Sequence, residues 1–138
     1  MPDKAFVDSN IFVYAALDDG NNSNKRRRAI ELLENSALSL VAGTQVVNEF
    51  YAVLLKQKIA EADIREKASE ILNDLEIVSI TPSIVRASWK LKDKYRCAYW
   101  DSVIIASALD AGCSMLYSED MQHGQVIEKS LTIMNPFK

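Results

Sequence analysis

Along this chain, short apolar runs alternate with longer stretches in which apolar residues recur every three to four positions. This order constrains the fold more than any other feature, because parallel strands can be joined only by long crossovers such as helices. It predicts an α/β fold, an α/β/α sandwich around a mainly parallel central sheet. The expected strands cover residues 5–7, 38–41, 77–80 and 114–117, with a last one at 131–134. Between them the apolar period predicts helices over 11–17, 25–35, 44–56, 61–75, 82–94 and 100–111. Thr44 reads as an N-cap, Thr81-Pro82 as a cap followed by a proline at the first helical position, and Gly112 as a helix stop. Residues 18–24, rich in Asp, Gly and Asn, read as a turn. Neither an internal repeat nor a low-complexity segment interrupts the pattern.

With 138 residues and 49% apolar composition, the expectation is one domain over residues 1–138. Sixteen Lys and Arg against 19 Asp and Glu leave a net charge of −3. That balance argues against coating nucleic acid by bulk charge and leaves open an acidic site that meets phosphate through metal ions. No apolar run reaches the ~18–20 residues of a membrane span. Met1-Pro2-Asp3-Lys4 leads directly into the first strand without a signal-peptide layout, so a cytoplasmic protein is expected. Cys97, in an expected loop, and Cys113, beside an expected buried strand, lack a CxxC spacing and read as free thiols.

Open parallel sheets bind ligands beyond the carboxyl ends of their strands, which directs attention to the residues after strands one and four. Asp8 follows Phe6-Val7 and stands equally well as an N-cap or as a site acid. Glu49 lies on the helix after Thr44, beside Val46 and Val53 at the edge of the apolar stripe. It is either half committed to the interior or a solvated glutamate favoured by the helix dipole. Asp101 faces inward: Ser102, Ser107 and Asp110 mark the polar face of its otherwise apolar helix, Asp110 lies opposite it, and Ile105 and Ala108 share its side. A half-buried carboxylate needs a cation, a metal or a shifted pKa, and no Lys or Arg follows within a turn. Asp120 closes the group Ser118-Glu119-Asp120 after strand four, where capping is the competing role.

Together these four acids fall where such a fold converges on one cleft. Two like charges ~4 Å apart repel by about 4 kcal/mol at an effective dielectric of ~20, so an ionised cluster needs counter-cations. All-oxygen donors suit Mg²⁺ or Mn²⁺, whereas the lone His123 and the two separated cysteines do not suit zinc.

Four segments carry a resemblance: Phe6-Val7-Asp8-Ser9-Asn10; Thr44 with Glu49; Tyr99-Trp100-Asp101-Ser102-Val103-Ile104-Ile105-Ala106; and Leu116 to Asp120 followed by Met121-Gln122-His123-Gly124. In this order and at domain-wide spacing they resemble the PIN-domain ribonucleases, in particular the toxin subunits of VapBC toxin-antitoxin pairs. The resemblance implies a divalent-metal-dependent endoribonuclease that hydrolyses RNA by in-line displacement at phosphorus. It also implies a homodimer held in check by a cognate antitoxin whose segment enters the cleft. Asp8, Glu49, Asp101 and Asp120 would be the catalytic and metal-binding acids, Asn10 and Ser118 would orient them, and Glu119 is a competing fourth acid.

Other features have plainer explanations. Lys25-Arg26-Arg27-Arg28 reads as a solvated helix face, Tyr95, Tyr99 and Trp100 as core packing beside an apolar helix, and His123 as a loop residue. Among rival functions, a haloacid-dehalogenase-like phosphatase would want an acid where Asn10 stands. A receiver domain would want one where Thr81-Pro82 stands. A non-catalytic PIN-like module that only grips RNA or a partner would gain nothing from an acidic cleft.

Overall fold

The computed structural model describes residues 2–18 and 20–138; Met1 and Asp19, the latter in the expected turn, lie outside the described residues. Strands β1 (Asp3–Val7), β2 (Leu38–Gly43), β3 (Glu76–Val78), β4 (Met115–Tyr117), β5 (Val126–Ile127) and β6 (Leu131–Met134) form one sheet. Their order is β3-β2-β1-β4-β6-β5, with every neighbouring pair parallel except β5 with β6. Helices α1 (Ser9–Ala16), α2 (Ser23–Leu33), α3 (Thr44–Lys56) and α4 (Glu61–Asp74) make one connected set, with α1 packed on α2 and α3, and α3 on α4. Helices α5 (Pro82–Tyr95) and α6 (Tyr99–Asp110) pack on each other. This is the expected α/β/α arrangement. No helix among the described residues is long and apolar enough to cross a membrane.

Burial explains the composition of the central elements. Ala5, Phe6 and Val7 of β1 are fully buried, as is Leu116 of β4, which is why these strands read as continuous apolar runs without alternation. Helix α6 is buried from Ser102 through Ala108. A helix enclosed on all sides can carry serine only if the hydroxyl finds a partner, and Ser107 donates to the carbonyl of Val103 at 2.8 Å. The α5 cap is as expected, with Thr81 Oγ1 accepting from the Ile84 amide at 3.2 Å and Pro82 opening the helix.

The differences from expectation have local causes. β3 ends at Val78, short of residue 80, because its register partners Val41, Ala42 and Gly43 run out where β2 turns into α3. Gly43, not Thr44, holds the extended cap position of α3, and Thr44 is the first helical residue without a capping bond. A Cβ at Gly43 would lie 3.3 Å from the Phe6 ring, so this corner favours glycine by close packing. Helix α2 starts at Ser23, since a 3-10 turn at Gly20–Asn22 shortens the expected loop. Cys113 is buried in the turn before β4, and β5 is only two residues long, below the length at which alternation can be read.

Candidate active site

From β1 the sheet grows outward through β2 and β3, and β4 then lies on the other side of β1. At such a switch point the segments leaving two adjacent parallel strands diverge and open a crevice at the carboxyl ends. Asp8 leaves β1 there and Ser118 leaves β4. The two are clasped: the Asp8 amide donates to the Tyr117 carbonyl at 3.0 Å, and the Ser118 hydroxyl donates to Asp8 Oδ2 at 2.8 Å.

Asp8 is 6% exposed, and its Oδ1 accepts the Ser9 amide at 2.7 Å. It therefore caps α1, the structural role weighed for it, and does so at the edge of the crevice. Burial pushes its carboxyl up to about 6, against the hydrogen bonds of Ser118 and Ser9, which pull it down, and the charges of Glu49 and Asp120 add to the rise.

Glu49 is half-buried on α3 and faces the same crevice. Its Oε2 accepts the Ser9 hydroxyl at 3.1 Å, and its Oε1 accepts the Gln45 amide, one turn earlier, at 2.8 Å. Asp101 stands half-buried in the first turn of α6, and no described residue donates a hydrogen bond to its carboxylate. Burial raises its pKa, with Asp120 and then Glu49 adding to the effect. Asp8 and Asp101 thus each feel both Glu49 and Asp120, so the four acids share one electrostatic field.

Asp120 is exposed. Its Oδ2 accepts the Asn10 side-chain amide at 3.1 Å and its backbone amide donates to Ser118 Oγ at 3.2 Å. Asn10 and Ser118 therefore tether the loop after β4 to α1 and to Asp8. Glu119 points elsewhere, into an ion pair with Lys25. The Lys25 ammonium also lies 3.3 Å from the Tyr14 hydroxyl and stands over the Tyr14 and Phe137 rings, at 5.0 and 5.6 Å from their centroids. The expected solvated basic face of α2 thus supplies one cation to the rim of the site.

Ser9, Gln45 and the Lys25–Tyr14 pair were not singled out as partners in the sequence. Gln45 four residues before Glu49 was the readable signal, since residues at that spacing share a helix face. Two aromatic assignments are corrected. Tyr99 and Trp100 are 39% and 55% exposed, because α6 becomes buried only from Ser102 onward, and they stack edge to face with centroids 5.3 Å apart. Tyr95 is half-buried, its hydroxyl accepting the Glu128 amide at 2.9 Å. His123 lies in a loop, its Nδ1 accepting the Asn135 amide at 2.9 Å.

Comparison with known proteins follows the same lines. The profile of the PIN domain matches residues 5–128. The chain belongs to the PIN-domain family. Among solved structures, this PIN domain is similar to a chain of a toxin-antitoxin complex from Klebsiella pneumoniae. The TM-score is 0.70 at 20% identity, covering 96% of this chain and 97% of the other. It is also similar to VapC20 of Mycobacterium tuberculosis, described as a toxin cleaving the sarcin-ricin loop, with TM-score 0.65, 14% identity, and 81% and 86% coverage. A third likeness is to VapBC2 of Rickettsia felis bound to a DNA fragment from its promoter, with TM-score 0.62, 18% identity, and 85% and 88% coverage. At these identities the likeness is one of fold. A search of curated proteins returns no match.

The donor set of the crevice is made entirely of oxygen, the chemistry that Mg²⁺ and Mn²⁺ take. Among the described residues, no three His, Cys, Asp or Glu side chains are gathered closely enough to cage an ion by themselves. An ion there would be held by one or two carboxylates and its own waters, the binding that Mg²⁺ accepts.

Proposed function

We propose that this PIN domain, residues 1–138, is a Mg²⁺- or Mn²⁺-dependent endoribonuclease acting as the toxin of a type II toxin-antitoxin pair. One observation carries the reading. Asp8, Glu49, Asp101 and Asp120 come from four elements into one field, and among the described residues none of them is in an ion pair. Carboxylates held together without a protein cation are arranged for a cation from outside. One or two of them would bind the ion directly and the others through its waters, and the ion would supply charge neutralisation at the phosphate and acidify water.

The chain's own residues do the positioning. Ser118 and the Ser9 amide fix the two oxygens of Asp8, so this carboxylate presents the same orientation in every molecule. The Ser9 hydroxyl and Gln45 do the same for Glu49, and Asn10 for Asp120. Ionising Asp8, whose carboxyl titrates near 6, completes the negative field at neutral pH. Asp120 is the fourth acid and Glu119 the neutralised partner of Lys25. The likeness to a toxin-antitoxin complex and to a VapBC pair supports a cognate antitoxin as partner; a homodimer and a cytoplasmic setting are part of the same proposal.

The test is incubation of purified protein with a tRNA and mRNA mixture, with and without Mg²⁺, followed by mapping of the new ends. Cleavage at defined sites that requires the ion and disappears in a folded Asp101→Asn variant is the expected result. Cleavage indifferent to the ion and to Asp101 would overturn the proposal.

A further inference from the structure

A trough opens beside the acids, between the exposed side of α1, the end of α3 and the loop after β4. Its volume is about 360 Å³. Val13 of α1, Leu17 directly after it and Val53 of α3 form an apolar floor. Ser9, Asn10 and Asp120 stand at the end shared with the crevice, and Gln57 lines it from the C-terminal end of α3. Val13 and Leu17 fall one helical turn apart, as do Val53 and Gln57, which is why each helix presents a continuous strip to the space. The floor residues are half-buried, so apolar surface is left without a covering side chain.

We infer that this trough is the subsite for the RNA base next to the scissile phosphate, and that Gln57 is a specificity-determining residue there. The inference rests on the nuclease reading above and adds what the site selects. Volume at the low end of the roughly 300–1,000 Å³ usual for small-ligand pockets fits a nucleoside. An apolar floor takes the face of a base, and single-stranded RNA is read by packing the splayed base and bonding its edge. Gln57 can supply that edge contact, because its side-chain amide offers both a donor and an acceptor and makes no hydrogen bond with the described residues.

Charge separates a base from a cationic protein side chain. The acidic wall is Glu119 and Asp120: Glu119 is already paired with Lys25, while Asp120, bonded by the neutral Asn10 amide, keeps its charge at the crevice end, where the proposed ion would offset it. With the proposed ion in the crevice, the apolar stretch of the trough faces no uncompensated carboxylate, which favours a neutral aromatic occupant over a guanidinium.

The experiment uses the full chain and an RNA pool with random bases on both sides of a mapped cleavage site. The wild type should prefer one base at one flanking position. Gln57→Glu, which trades the amide donor for an acceptor at an exposed position, should change that preference by about fivefold to a hundredfold, the range of one good edge contact. Val53→Phe should slow cleavage of every substrate by filling the floor, with its fold checked by thermal melting; if it unfolds, Gln57→Glu still decides. A parallel arm measures binding of non-cleavable 2′-O-methyl oligonucleotides that differ in the same base. Cleavage without base preference, or an unchanged preference in Gln57→Glu, overturns the subsite and leaves the nuclease reading intact. If the wild type cleaves no RNA, the nuclease reading fails, and equal binding of all oligonucleotides then removes the subsite as well. Tighter binding of an arginine-rich peptide than of any oligonucleotide, lost in Val53→Phe, would assign the trough to a protein partner instead.

Discussion

The carboxyl ends of β1 and β4 are neighbours in the sheet and deliver acids to the same crevice, yet they hold them in opposite ways. Asp8 is buried, both of its oxygens accept hydrogen bonds, and its carboxyl titrates near 6. Asp120 is exposed and held by one side-chain amide, while Glu119 next to it is engaged by Lys25. Strand order decides which residues reach the crevice. Local partners decide which of them are fixed and which can adjust to a ligand. The β1 end is the rigid reference, and the β4 end is the adjustable arm.

The largest effects should follow removal of a charge from either end. Asp8→Asn and Asp120→Asn should each lose more activity than the roughly 10- to 100-fold that follows loss of an orienting partner, for which Ser118→Ala is the matched case. Single-turnover RNA cleavage measures all three. A mild Asp120→Asn beside a severe Glu119→Gln would break the comparison, because the adjustable arm would then present the other acid.

The rigid end makes a second, thermodynamic prediction. The folded Asp8 carboxyl sits near 6, above the 3.8 of an ordinary aspartate, so the folded state holds this proton more tightly than the unfolded chain. Its contribution to stability is fully present below about pH 4 and is lost as pH rises through about 6. In metal-free buffer, the stability of Asp8→Asn relative to the wild type should therefore rise from about pH 4 to about pH 7, by on the order of 3 kcal/mol. Asn remains a good N-cap, which keeps α1 out of the comparison. Urea unfolding at both pH values measures it, and a difference that stays flat with pH would contradict the burial argument.

The smallest effect belongs to the Lys25–Glu119 pair on the adjustable arm. Its two side chains are 36% and 24% exposed, so Glu119→Gln should cost at most about 1 kcal/mol of stability. Activity should fall only a few-fold, checked in the same cleavage assay. A loss as deep as that of Asp120→Asn would move the fourth acid one residue earlier.

Much of this was legible in the sequence because buried parallel strands and crossover helices leave different periods. The acids at the strand ends, Asp8 and Asp120, followed from that order alone. Asp101 is half-buried, but the polar face against which its inward side was counted is not there, since Ser102 and Ser107 are buried and α6 is enclosed all round from Ser102 onward. Strand order was not legible, since no local pattern states that β4 lies beside β1, and with it the clasp of Ser118 on Asp8 stayed hidden. Lys25 and Glu119, 94 residues apart, met for the same reason. Tyr99 and Trp100 misled because an apolar helix implies burial along its length, whereas the first turn of α6 stands in solvent.

The central claim is that the four acids are arranged for a divalent cation, and Mn²⁺ binding followed by thermal unfolding tests it without any substrate. Binding to the folded state alone adds about 2.7 kcal/mol at a hundred times the dissociation constant. For a chain of this size that corresponds to a rise in Tm of roughly 5–15 °C. The wild type should show the shift and an Asp8→Asn, Asp101→Asn double variant should not. Equal shifts in the two proteins would place the ion elsewhere and contradict the account.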